Sequence, residues 1–253
     1  VRTILSDLGL ESPLVGTTVT AHIRSSGPDG FRCAVYDIAT GRARDGYLPR
    51  ADAYDLREGA APPRPAAGDT VVALVVGVSG GPGRDAERLV LSATAPELVE
   101  RILAGFVTEI CTGKVVVKAV ARVAGTKSKI SVAPTAKGVD ARGACIGWGA
   151  SRLKGAERLL NHGSGNERLE IIEYSADPVT FLTKALSPVR VTEVLVDGGN
   201  AVAAVEEHML SGGIGQGGLN AQLAGRLTGH YVRIVKAGTD LRATLAELTA
   251  ASG

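Results

Sequence analysis

A ten-residue stretch, Gly143-Ala144-Cys145-Ile146-Gly147-Trp148-Gly149-Ala150-Ser151-Arg152, constrains this chain more than any other. It joins two short helical patterns through a turn too small and too rich in glycine to pack a core of its own. Two strand-like runs precede it, Lys114–Val123 and Ser128–Pro134, and a third follows at Arg168–Tyr174. Apolar and polar positions alternate in the first of them, the spacing of a sheet with two distinct faces. The unit reads strand, strand, helix, tight loop, helix, strand. The same order recurs around Gly215-Gln216-Gly217-Gly218. One copy is a weak signal; two in tandem are much stronger.

This is the order of a KH module, whose loop clamps about four nucleotides of a single strand. Successive backbone N–H groups in such a loop point outward beside a helix N-terminus and hold a phosphate. The backbone of Gly147–Ser151 is expected to hold one phosphate and that of Gly215–Leu219 another. The candidate RNA-binding residues of the first loop and its helix are Gly147, Trp148, Gly149, Ala150, Ser151, Arg152 and Lys154. Those of the second are Gly215, Gln216, Gly217, Gly218, Leu219 and Asn220. Trp148 either offers an exposed stacking surface or plugs its own domain, and the sequence leaves the two even.

The net charge of +2 hides an asymmetry. Between Cys111 and Leu160 stand Lys114, Lys118, Arg122, Lys127, Lys129, Lys137, Arg142, Arg152, Lys154 and Arg158, opposed only by Asp140 and Glu157. The rest of the chain is therefore net acidic, and a local field of one sign points to a polyanion partner. By the two-residue period of a strand, Lys118 and Arg122 share one face, as do Lys127 and Lys129 in the next strand. That face is expected to track an RNA backbone. The bland alternative is that its lysines keep a sheet edge soluble.

With 253 residues, one to three domains are possible, and 45% hydrophobic content suffices for real cores. No apolar run approaches the roughly 18 residues of a membrane span. Val1–Glu11 lacks the basic start and long apolar centre of a signal peptide. Cys33, Cys111 and Cys145 are odd in number and far apart, which suggests reduced thiols. No Cys/His pair has zinc spacing. A cytoplasmic monomer without metal or cofactor is expected.

The fold class expected is multidomain α+β: an all-β OB-fold barrel followed by two tandem type II KH domains. Residues 1–13 form a tail with helical spacing of Ile4, Leu5 and Leu8. Residues 14–95 form the barrel, from runs at Thr17–Ile23, Phe31–Ile38, Gly46–Pro49, Thr70–Val78 and Arg88–Ser92. Gly59–Gly68, rich in Ala and Pro, is a loop inside it. Phe31, Tyr36 and Tyr47 are its candidate stacking residues or core. The first KH domain takes 96–186, opening with a helix over Pro96–Val107 capped by Thr94. Its Gly loop leads into the helix Ser151–Asn161, and Asp177 caps a last helix with Pro178 at its first position. The second takes 187–253: strands Val189–Val196 and Ala201–Val205 about a hairpin turn, the helix Leu219–Leu227 closed by Gly229, the strand Tyr231–Val235, and a helical tail over Thr239–Ala251 that frays.

Glycine content also produces enzyme fingerprints. Gly213-Ile214-Gly215-Gln216-Gly217-Gly218 satisfies a dinucleotide pattern, but the preceding Glu206-Glu207-His208-Met209 makes a poor buried strand. Gly77-Val78-Ser79-Gly80-Gly81 matches a nucleophile elbow, which must feed a helix; here Pro82-Gly83 follows. A serine hydrolase using Ser79 is thus a remote alternative, and the chain reads as no enzyme. His22, His162, His208 and His230 are isolated.

These residues resemble the bacterial transcription factor family NusA over its barrel–KH–KH region, from about Leu14 to Val235. Gly143-Ala144-Cys145-Ile146-Gly147 with Arg152 resembles the family's first KH loop, and Ser128-Lys129-Ile130 the strand before it. Asp177-Pro178 with Ala185-Leu186-Ser187-Pro188 resembles the inter-KH junction. Ile214-Gly215, Gly218, Asn220-Ala221 and Leu227-Thr228-Gly229 resemble the second loop and helix; Gly46-Tyr47-Leu48-Pro49 and Arg88-Leu89-Val90-Leu91-Ser92 resemble S-one-type barrel signatures. The resemblance implies single-stranded RNA binding in transcription elongation, pausing, termination and antitermination, with RNA polymerase and other transcription factors as partners. An RNA-processing or ribosome-assembly adaptor built from the same modules is the alternative. The chain departs from the family at Gly149, normally basic, and at Ala150, normally Gly. It departs again at Gln216-Gly217, normally Lys-Glu, at Gln222, normally Arg, and at His230, normally Trp. The turn His162–Asn166 is longer than usual. The helical polymerase-binding domain that precedes the family's barrel has no counterpart here, so a fragment or a diverged relative is expected.

Overall fold

The computed structural model describes residues 14–37, 42–53, 65–80, 87–161 and 166–252. The tail, most of the Ala/Pro loop, the segment after Gly80 and most of the turn after Asn161 lie outside them. The contacts divide the chain into two compact units. One is built on the barrel and takes in Val123–Lys127 and Gly147–Arg168; the other holds Glu109–Arg122, Ser128–Ile146 and everything from Leu169 onward.

In the first unit β1 (Thr18–Ser26), β2 (Gly30–Asp37), β3 (Arg42–Pro49), β4 (Thr70–Ser79) and β5 (Arg88–Ser92) close a barrel in the order β1-β2-β3-β5-β4. β1 pairs antiparallel with both β2 and β4, and β3 pairs parallel with β5. This is the OB arrangement. Alternation along the strands sends Ala21, Ile23, Phe31, Cys33, Val35, Leu48, Val75, Leu89 and Leu91 inward. Phe31 is therefore core, with the Arg50 guanidinium 5.3 Å from its ring centroid, whereas Tyr36 is 60% exposed. Burial pushes the Cys33 thiol up to about 11. β3 begins earlier than its apolar residues suggest, because Arg44 and Ala43 pair with Val35 and Tyr36 of β2. A single turn of helix, α1 (Arg50–Ala53), follows it.

The helix α2 (Pro96–Phe106) buries Leu98, Val99, Ile102 and Leu103. Thr94 does not cap it. Ala95 occupies the cap position without a side-chain bond, and the Ala95 N–H donates instead to Ser92 Oγ at 3.0 Å. The later helix α5 (Ser151–Leu160) packs on α2 at Gly155, where a Cβ would stand 2.7 Å from the Phe106 ring.

Beyond α2 a short α3 (Thr108–Cys111) leads to β6 (Val115–Val123), β7 (Lys127–Pro134) and β8 (Arg168–Glu173), a sheet with β7 in the middle. β8 runs parallel to β7, since Arg168 N–H donates to Thr126 O and Tyr174 N–H to Val132 O in constant register. Between them comes α4 (Ala141–Ile146). Then α6 (Pro178–Ala185) is capped as its sequence demands: Asp177 accepts from Thr180 N–H at 2.8 Å, which holds its carboxyl below the ordinary range. A second three-stranded sheet, β9 (Val191–Asp197), β10 (Asn200–Val205) and β11 (Tyr231–Lys236), has the order β11-β10-β9 with β10 and β11 parallel. Its helices are α7 (Leu210–Ile214), α8 (Leu219–Thr228) and α9 (Leu241–Ser252). The C-terminal helix is no frayed tail: Leu241, Leu245 and Leu248 are buried against Val202 and Ala204 of β10.

Candidate nucleic-acid interface

The two Gly loops carry the same sequence of backbone torsions. Gly147 (φ 72°, ψ 172°), Gly149 (φ 56°, ψ 24°) and Ala150 (φ 60°, ψ 27°) match Gly215 (φ 78°, ψ 163°), Gly217 (φ 59°, ψ 24°) and Gly218 (φ 77°, ψ 7°). In each, one turn of 3₁₀ helix runs into the N-terminus of a ten-residue α-helix. The first glycine is doubly required. Its φ is positive, and a Cβ would meet Arg152 Cγ at 2.8 Å in the first loop or Asn220 N at 2.6 Å in the second. Each loop thus sets the positive end of a helix dipole beside exposed residues, Trp148 and Gly149 in the first and Gln216 and Gly217 in the second. Ala150 N–H and Gly218 N–H donate back to Gly147 O at 3.1 Å and Gly215 O at 3.0 Å.

Ala150 is the only residue other than glycine with positive φ among the described residues. A Cβ is strained at that φ, and alanine takes the torsions that Gly218 takes in the second loop. Trp148 is 96% exposed, so the indole is presented and plugs nothing. Around it, Ser151, Lys154 and Arg158 of α5 are exposed, and Lys154 Nζ donates to Gly149 O at 3.3 Å. Arg152 is partly buried, its stem lying over Gly147. Gly149, Ser151, Lys154 and Arg158 line a shallow concavity with Arg168. In the second loop Gln216 and Gly217 are exposed and Gly218 and Leu219 half-buried. Gly217, Gly218, Gln222 and Arg226 line a groove closed on its other side by Tyr231 and Arg233 of β11.

Three residues expected at the interface have buried side chains. Lys129 is fully buried; its Nζ donates to Glu170 Oε2 at 2.6 Å and to Ser187 O at 3.1 Å. Alternation puts it on a face with Lys127, but β7 is the middle strand and both of its faces are covered, from Ser128 to Val132. Arg122 is only 9% exposed. Asn220 is 4% exposed, its Nδ2 donating to Gly213 O at 3.0 Å and Leu186 O at 3.3 Å, so it ties the helix start to the junction between modules. Lys118 remains exposed, its Nζ 5.4 Å from the Tyr174 ring centroid, and Lys127 is half-buried.

The rival chemistries lack their scaffolds. Ser79 ends a strand that pairs antiparallel with β5 opposite Arg88, the place of a hairpin partner and not of the parallel strand that a nucleophile elbow requires. The dinucleotide-like glycines begin inside α7, at Gly213, and what precedes that helix is a 3₁₀ turn instead of a strand. No group of three or more His, Cys, Asp or Glu is placed to hold a metal among the described residues. No helix among them is long and apolar enough to cross a membrane.

An OB-type barrel followed by two modules of order αββααβ, each with a left-handed Gly loop between its paired helices, defines the class: a protein with tandem KH domains. Residues 93–174 match the NusA-like first KH domain and residues 178–241 the NusA-like second KH domain, and over these modules the chain belongs to the NusA-like KH family. The transcription termination/antitermination protein NusA of Mycobacterium tuberculosis is 41% identical over 170 residues, 66% of this chain and 47% of that protein. NusA of Bacillus subtilis is 39% identical over 157 residues, 61% of this chain and 41% of the relative. NusA of Thermus thermophilus is 37% identical over 153 residues, 59% and 38% respectively. The chain thus spans less than half the length of these relatives.

Proposed function

We propose that this chain binds single-stranded RNA through its two KH loops, without catalysis, as part of a transcription termination and antitermination factor. Its partners on this reading are RNA polymerase and other transcription factors, and it works as a monomer in the cytoplasm. Its functional divisions are the barrel (14–95), the first KH domain from residue 96 and the second KH domain, with α6 counted in the second, as the family match over 178–241 favours. The observation that carries the reading is the repeated loop: one torsion pattern, twice, each time leading through a 3₁₀ turn into the start of an α-helix. Phosphates dock on Gly147–Ser151 and Gly215–Leu219, bases stack on Trp148, and Lys118, Lys127, Arg152 and Lys154 supply the attractive field. The clefts beside such loops take unstacked bases, which an A-form duplex does not offer. Fluorescence anisotropy with single-stranded RNA, duplex RNA and single-stranded DNA at two salt concentrations tests this. Tighter binding of single-stranded RNA is expected, and equal affinity for a perfect duplex refutes it.

A further inference from the structure

Arg226, Gly229 and His230 line two adjoining concavities. One is the groove between the Gly217-Gly218 turn, α8 and β11. The other lies beyond the C-terminal end of α8, where Lys118 of β6, Tyr174 and Phe181 form the far wall. Among the described residues, Lys118, Arg226 and His230 line this second concavity and no carboxylate does. The two acids nearest in sequence are engaged elsewhere: Glu173 pairs with Lys184 at 2.9 Å, and Asp177 caps α6.

Tyr174 is held for use as a platform. Phe181 meets its ring edge-on, centroids 5.2 Å apart and planes at 66°, which fixes the ring's orientation. Yet Tyr174 stays 39% exposed while Phe181 is 7% exposed. The Lys118 ammonium rests over the Tyr174 ring, a contact weaker at an exposed site than base stacking on an aromatic ring. A base arriving there displaces the ammonium, and a lysine leaving a ring beside a nucleotide has a phosphate within its reach.

We propose that this concavity is a nucleotide subsite that continues the groove of the second KH module, one base stacking on Tyr174 while Lys118 and Arg226 take the adjoining phosphate. The inference rests on single-stranded RNA being the ligand of that groove. A strand leaving the groove past Arg226 enters the subsite directly, because the same three residues border both. Stacking reads no sequence, so the subsite adds affinity for any base.

The test is anisotropy titration of the whole chain with a labelled single-stranded RNA of about twelve nucleotides, enough for about four per loop and some beyond. Tyr174→Leu is expected to weaken binding about fivefold or more, the loss of one stacked base, and Tyr174→Phe to stay within about twofold of the parent. Lys118→Gln should flatten the slope of log K against log salt by about 0.7, one phosphate contact on a single strand. Tyr174→Leu binding like the parent overturns the subsite, and so does Tyr174→Phe losing as much as Tyr174→Leu. Should Tyr174→Leu fail to fold, Lys118→Gln decides, and an unchanged slope overturns the proposal. A parent chain that binds no single-stranded RNA sinks the reading of the groove first, and the subsite with it.

Discussion

Lys129 separates a structural lysine from a phosphate-binding one, and replacing it with methionine tells them apart. The side chain is fully buried, whereas its partner Glu170 is 24% exposed. Methionine keeps most of the volume but leaves the Glu170 carboxylate without its ammonium and Ser187 O without that donor. Breaking a buried pair from one side costs about 3–5 kcal/mol. Partial hydration of Glu170 screens the remaining charge, so a loss of about 2–3 kcal/mol is expected. For a chain of this size that lowers Tm by about 5–10 °C. The double variant Lys129→Met/Glu170→Leu should recover much of the loss, because it also removes the charge that the single variant leaves without its ammonium. Thermal unfolding followed by circular dichroism gives the stability, and anisotropy against salt gives the second readout. RNA affinity measured well below Tm should keep its salt slope. A Lys129→Met protein as stable as the parent, with a slope flattened by about 0.7, would show that the ammonium reaches phosphate and that the burial argument is wrong.

Other outcomes follow from the loops and the thiols. Ala150→Gly should stabilise the protein by about 0.5–1 kcal/mol in urea unfolding, because relief of left-handed strain exceeds the entropy added to the unfolded chain; a loss of stability would deny the strain. Changing Trp148 and Gly149 to Asp should weaken RNA binding more than the same change at Gln216 and Gly217, since the second loop and helix carry only Arg226 as a base; titration in the reverse order would reject the dominance of the first module. A thiol reagent at pH 8 should label Cys111 quickly, while Cys33 and Cys145 react only on unfolding. Because burial raises the Cys33 pKa to about 11 from an unfolded value near 9, its contribution to stability is complete below about pH 9 and declines as pH rises through about 11. A Cys33→Ala protein should lack that part of the alkaline decline.

Where sequence alone sufficed, the signals were local. Arg88–Ser92 is found as read, and Asp177-Pro178 starts a helix because the carboxylate and the proline each suit a first turn. The loops were legible because few torsions other than left-handed ones let so many glycines join two helices. What failed depended on partners far along the chain. Nothing near Lys129 announces Glu170, 41 residues on, or the Ser187 carbonyl. The alternation rule describes a strand with one wet face, and β7 has none over Ser128–Val132. Asn220 sits beside the loop in sequence, but its amide turns inward to carbonyls of α7 and the junction. Tyr174 and Arg226 carried no motif, and only the meeting of β6, α6 and α8 at one cleft brings them together.

The matched torsions at Gly147–Ala150 and Gly215–Gly218 bear on how such a site changes over time. Every residue except proline carries a peptide N–H, so a clamp built from amides is indifferent to what the outward side chains are. Trp148 in one loop and Gln216 in the other occupy equivalent places on the same backbone and share no chemistry. On the proposed reading the grip on the sugar-phosphate chain needs only those torsions, so the second residue of each loop is open to substitution and sets which bases are welcome. Only the torsions are policed, and Ala150 marks how far that policing can bend.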